Sequence, residues 1–194
     1  MEHTLLAELM TTAFLLSLGG ARYYYFLGAR KRPVERSGTA ANLAAQVPAY
    51  FASAAWTAYV AWSVLAPPRL TEWDRWPLNH GAADLLVWSA VPFFGAGLAL
   101  FWYSHRVIGS YWSVRIELKS EHQLVMRGPY RYVRHPLYTA LILGYVGTLL
   151  TLQSWTLAAW FPVFVASYLI FAREEELAIL RQRPLRNVRS PPVC

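Results

Sequence analysis

Five stretches of this chain, at about residues 5–27, 43–66, 85–108, 136–152 and 155–172, are apolar over lengths close to a bilayer crossing. A helix needs roughly 20 such residues to span ~30 Å of hydrocarbon. The last two are separated only by Gln153 and Ser154, which leaves room for nothing but a tight helical hairpin. Charged residues make up 15% of the 194, against about 25% in an ordinary soluble domain. A soluble chain so poor in charge has little with which to cover its surface. The abundant Trp, Tyr and Phe suit the headgroup belts of a membrane protein. Disorder is excluded by the apolar content. The single cysteine, Cys194, excludes a disulfide scaffold and a four-cysteine zinc site. The fold expected is an all-α integral membrane protein of about five transmembrane helices. A soluble all-α bundle is the competing fold, and Arg22, Pro48 and Pro162 inside the apolar stretches speak for it.

The position of the positive charge gives orientation. Sixteen of the eighteen Lys and Arg residues fall at the end of the first stretch and in the loop after it, in the loop after the third, or in the tail. Only Arg69 and Arg75 fall in the second loop. With five spans the three rich clusters share one face, which the positive-inside rule makes cytoplasmic. The net charge of +7 is then topological, and nucleic acid is not an expected partner. Glu2, His3 and Glu8 precede any Lys or Arg, so the first stretch reads as a span rather than a cleaved signal. The chain is expected to form one membrane domain, 1–194: three spans in 1–108, a cytoplasmic loop 109–135, a helical hairpin 136–172, and a cytoplasmic helical tail 173–194.

Two polar clusters stand out against this frame. Arg134 and His135 directly precede Pro136, a residue suited to the first position of a helix. They lie at a helix N-terminus, where free backbone donors favour polar or anionic groups. The run Arg173-Glu174-Glu175-Glu176 follows the fifth stretch directly. Three carboxylates at an anionic membrane surface need compensation, either from nearby arginines or from a cationic ligand. A hairpin 136–172 brings the two clusters to one bilayer depth, which makes a ligand site as good a reading as headgroup contacts. There is no phosphate-binding loop, no nucleophile elbow and no metal-ligand spacing among the five histidines, so a catalytic metal is not expected. Carboxylates, aromatic rings and backbone donors together suit a zwitterionic or cationic cofactor.

The segment Gly128-Pro129-Tyr130 followed by Arg134-His135-Pro136-Leu137-Tyr138 resembles the integral membrane methyltransferases of the isoprenylcysteine carboxyl methyltransferase family. His122-Gln123-Leu124-Val125 upstream and the glutamates after the last span extend the resemblance over about residues 109–180. The resemblance implies S-adenosyl-L-methionine as methyl donor, held at the cytoplasmic face. Arg115, His122, Gln123, Leu124, Val125, Tyr130, Arg134, His135, Pro136, Leu137 and Tyr138 would surround it, with Glu174, Glu175 or Glu176 reaching its polar groups. By the same resemblance Arg173 is the candidate for the substrate carboxylate, and Glu175 acts beside it. The family's phenylalanine-glycine and tyrosines that close the site are replaced here by Arg181-Gln182-Arg183-Pro184. The implied activity is carboxyl O-methylation of a lipophilic, prenylcysteine-like substrate entering from the bilayer among membrane lipids. Phospholipid or amine N-methylation is the nearest alternative. A sterol-type reductase or a non-enzymatic membrane protein stands behind it.

Overall fold

The computed structural model describes residues 2–29, 34–36, 40–66, 71–109, 118–119 and 127–187. Among the described residues the architecture is helical apart from one short pair of strands. The helices are α1 (Glu2–Ala29), α2 (Ala40–Leu65), α3 (His80–Ile108), α4 (Pro136–Leu152) and α5 (Trp155–Asn187). Among the described residues, His80–Ile108 and Trp155–Ala178 are long and apolar enough to cross a membrane, while Glu8–Ala21 and Pro136–Leu152 are shorter apolar helices.

Local chemistry sets the helix ends. Asn79 caps α3 by accepting from the Ala82 N–H at 2.8 Å, and Gly109 closes that helix with a φ of +53°. Pro136 opens α4, and Gln153 ends it in the left-handed conformation. Ser154 caps α5 by accepting from the Leu157 N–H at 3.0 Å. The charged residues from Arg173 onward do not stop α5, which runs on to Asn187.

The connections place the two ends of the bundle. At one end Val34–Arg36 pairs antiparallel with Leu118–Lys119, so the loops after α1 and α3 lie together. At the other, Arg75 bridges to Ser154, the Trp76 N–H donates to the Gln153 carbonyl, and Gln153 Nε2 donates to the Ala83 carbonyl. Arg36 and Lys119 therefore lie at one end of the bundle, and Arg75 at the opposite one.

At that second end Asp74 is buried although charged. Its carboxylate accepts from Tyr59 Oη, from Ser154 Oγ at 2.5 Å, and from the Thr156 N–H and Oγ1, both at 2.8 Å. It is a second cap for α5, supplied by a loop 82 residues away. Burial alone pushes the carboxyl up, but the hydrogen bonds from Ser154, Tyr59 and Thr156 outweigh it and hold Asp74 below the usual carboxylate value. Asp74→Ala is expected to cost about 3–5 kcal/mol, since it leaves several buried donors unpaired at once. The contribution tied to ionisation is present above about pH 4 and is lost as pH falls through the lowered value. Thermal melts in detergent would check this, with Asp74→Asn showing a flatter acid limb. An unaltered acid limb in Asp74→Asn would refute the assignment.

α3 and α4 form the most intimate pair, and glycines make it possible. A Cβ on Gly97 would lie 3.1 Å from the Ala140 carbonyl, and one on Gly147 would lie 2.8 Å from the Phe94 ring. Phe14 of α1 covers Gly144 so closely that a methyl there would enter its ring. α5 packs on α2 through an aromatic ladder: Tyr50 against Phe171, Ser53 bonded to Tyr168 at 2.6 Å, and Trp56 against Phe164.

Candidate functional site

The site is assembled where α4 begins. Gly128 starts a 3-10 turn, Gly128–Arg131, with a φ of +61°. A Cβ on it would sit 2.9 Å from Val107 and 3.2 Å from the Tyr103 hydroxyl, so glycine is needed both for conformation and for contact with α3. The N–H groups of Tyr132 and Val133 return to the Pro129 carbonyl, folding the chain toward His135. The turn also walls a cleft of about 250 Å3 with Tyr103, Arg131 and Tyr132, distinct from the residues described next.

His135 caps α4 with its backbone: its carbonyl accepts from the N–H groups of Tyr138 and Thr139, each at 3.1 Å. Pro136 is buried behind it and has no N–H to satisfy. The imidazole is thus free to turn toward α5. Its Nε2 lies 3.1 Å from Glu176 Oε1, and its Nδ1 3.6 Å from Glu175 Oε2. The ring stacks on Tyr138, with centroids 5.3 Å apart and planes 6° from parallel. Tyr138 Oη donates to Glu175 Oε2 at 2.8 Å. Arg134 reaches within 3.6 Å of Glu176 from an 85% exposed position, where an ion pair contributes little by itself.

Tyr130, on the turn, carries a buried hydroxyl with no hydrogen-bond partner among the described residues. Burial, and then the Glu175 carboxylate nearby, push its phenol well above the ordinary value. It is neutral at physiological pH and has a proton to donate. A buried donor left unmatched at a polar cluster is uncommon in a finished core.

The two polar clusters expected to converge do so, at the end of the bundle where α4 begins. Tyr130, Arg134, His135, Tyr138, Glu175 and Glu176 lie together, with Pro136 and Leu137 opening the helix that carries them. Of the three glutamates, Glu175 meets Tyr138 and Glu176 meets His135, while Glu174 is half-buried with neither. Arg173 is exposed and makes no ion pair with the cluster among the described residues. Arg115, His122, Gln123, Leu124 and Val125 lie outside the described residues. Sequence reading missed the floor of the site, Tyr168 and Phe171, whose rings pack on Tyr138 at 5.2 and 5.3 Å. Their spacing from Glu175, seven and four residues back on α5, marks one helix face.

The described residues thus form a helical bundle in which two helices are long and apolar enough to cross a membrane, with an imidazole–phenol–carboxylate cluster at one end. Residues 90–181 match the model of the isoprenylcysteine carboxyl methyltransferase (ICMT) family. The resemblance seen in the motifs holds over that stretch, which contains the whole described cluster. No curated protein matches the chain.

Proposed function

We propose that this protein is an S-adenosylmethionine-dependent membrane methyltransferase that esterifies the carboxylate of a lipophilic, prenylcysteine-like acceptor. The observation that carries the reading is the meeting of His135 and Tyr138 with Glu175 and Glu176 at the start of α4. All five helices cross the bilayer in this reading. The basic loops, the site and the tail are cytoplasmic, because that end holds nearly all the positive charge.

The residues fit the donor. Carboxylates beside stacked aromatic rings suit a cation and its hydroxyls, and the unmatched Tyr130 hydroxyl offers one more donor. When bound, S-adenosylmethionine supplies a methyl group on a positively charged sulfur. Glu175, fixed by Tyr138, lends a negative field. Glu176, offset by His135 and Arg134, gives the α4 start a rigid partner on α5. An acceptor carboxylate is already ionised at neutral pH, so no residue has to remove a proton. The protein's work is alignment, which supplies about 7–11 kcal/mol in favourable cases, and exclusion of water by Tyr138, Phe171 and Tyr168.

One observation favours a second reading. The His135–Glu176 pair, 3.1 Å apart, can take up a proton, as methylation of a lipid amine requires. Incubation of purified protein with methyl-labelled S-adenosylmethionine, lipid extracts and prenyl-thioether acids separates the two. Label released as methanol by base marks an ester and is the expected result; base-stable label marks N-methylation. No labelled product from any acceptor would overturn both.

A further inference from the structure

α2 lies outside the residues that match the family model, yet it brings a polar side chain to the level of the site. Tyr50 meets Phe171, Ser53 meets Tyr168 and Trp56 meets Phe164, so α2 and α5 run antiparallel in a fixed register. One turn from Tyr50 toward the start of α2 is Gln46. One turn from Phe171 toward the end of α5 is Glu175. Gln46 therefore stands level with Glu175, across the ring of Phe171, which touches both Tyr50 and Tyr138.

Gln46 is only 2% exposed. Its Oε1 accepts a long hydrogen bond from Tyr50 Oη, at 3.5 Å, but its Nε2 has no partner among the described residues. A buried amide donor with nothing to bind is costly in any core and more so in a helix facing hydrocarbon. The two helices also carry exposed apolar side chains at neighbouring levels, Val47 and Phe51 on α2 and Leu169 and Ile170 on α5. A molecule whose head carries an oxygen acceptor and whose tail is hydrocarbon satisfies both features. Its head would take the Gln46 donor beside Glu175, and its tail would lie against the α2–α5 face.

Building on the methyltransferase reading, we infer that Gln46 is a positioning residue for the acceptor, its Nε2 donating to the carboxylate of an acidic lipophile that lies along α2 and α5. No hydrogen bond among the described residues joins Gln46 to His135, Tyr138 or Glu175, which form the donor side of the site. Its removal should separate acceptor binding from donor binding.

The test compares wild type with Gln46→Leu and Gln46→Glu in detergent, using a prenyl-thioether acid as acceptor. For Gln46→Leu the expected result is a rise of about tenfold or more in acceptor KM, with S-adenosylmethionine affinity by calorimetry unchanged. Its melting temperature should be equal or higher, because an unmatched polar group has gone. Gln46→Glu should lose the acidic acceptor further, by repulsion. An unchanged acceptor KM in Gln46→Leu, a weakened S-adenosylmethionine affinity, or a fall in melting temperature would each overturn the assignment while the methyltransferase reading stands. Wild-type protein that transfers no methyl group to any acceptor would remove both.

Discussion

Replacing Gly144 by alanine is expected to destabilise the protein by at least about 3 kcal/mol, at or above the upper end of the usual range for overpacking. The added methyl has no free volume, since the Phe14 ring already occupies the space where it must go. Nor can the ring withdraw easily. Phe14 is 1% exposed and packs on Phe94 with centroids 5.0 Å apart, and Phe94 in turn covers Gly147. The strain would pass into the α1–α3–α4 contact as a whole. Gly95→Ala on α3 is the matched control: nothing lies within 4 Å of a Cβ there, and the residue is exposed. It should melt like wild type.

A double-mutant cycle makes the cause testable. Phe14→Ala alone opens a cavity and costs about 3–5 kcal/mol. Combined with Gly144→Ala, the methyl gains the vacated space, so the double variant should be more stable than the sum of the single losses by about 1–3 kcal/mol. Strict additivity would mean that the clash is relieved elsewhere. The site is coupled to this packing. α4 carries His135 and Tyr138 at its start, and displacing α4 moves both away from Glu175 and Glu176 on α5. Any folded Gly144→Ala protein should therefore bind the methyl donor more weakly although the substitution lies deep in the bundle.

Much of this was legible in the sequence because long apolar stretches bounded by charge and turn residues leave few choices but helices. The stretches at 136–152 and 5–27 correspond to α4 and α1 within a few residues. The Gln153-Ser154 turn follows from having no length for anything else. α3 begins five residues before its apolar stretch because Asn79 provides a cap, and α5 continues past Ala172 because nothing before Pro184 opposes a helix. The triple glutamate fixed the neighbourhood of the site but not the pairing. Whether Tyr138 meets Glu174, Glu175 or Glu176 depends on the rotation of α5 about its axis, which the aromatic ladder with α2 sets. Asp74 was illegible for a different reason. Its donors come from Tyr59, Ser154 and Thr156, positions that no local period relates. The same holds for Gln46, whose significance depends on register with α5 rather than on any motif of its own.

Glu175→Gln is expected to weaken S-adenosylmethionine binding by about 10- to 100-fold while leaving the fold intact. The amide oxygen can still accept from Tyr138 Oη, so the hydrogen bond at 2.8 Å that locks the pair is retained. What is lost is the negative charge, and a charge-assisted contact is worth about 1.5–3 kcal/mol. Neutralising a partly buried carboxylate also removes a desolvation cost, so the melting temperature should hold or rise as affinity falls. His135→Ala should act differently. It removes the contact with Glu176 and the ring stacked on Tyr138, so a loss of affinity of similar size should come with a lower melting temperature. Arg134→Ala should change affinity no more than about threefold, because its side chain is 85% exposed and its ion pair is long. Calorimetry on the three variants therefore has an ordered expectation, and the ordering is more discriminating than any single loss. Undiminished donor affinity in both Glu175→Gln and His135→Ala would detach the cluster from donor binding and leave it as a brace between α4 and α5. An Arg134→Ala effect larger than that of Glu175→Gln would instead move the centre of the site outward, to the exposed rim of the turn before α4.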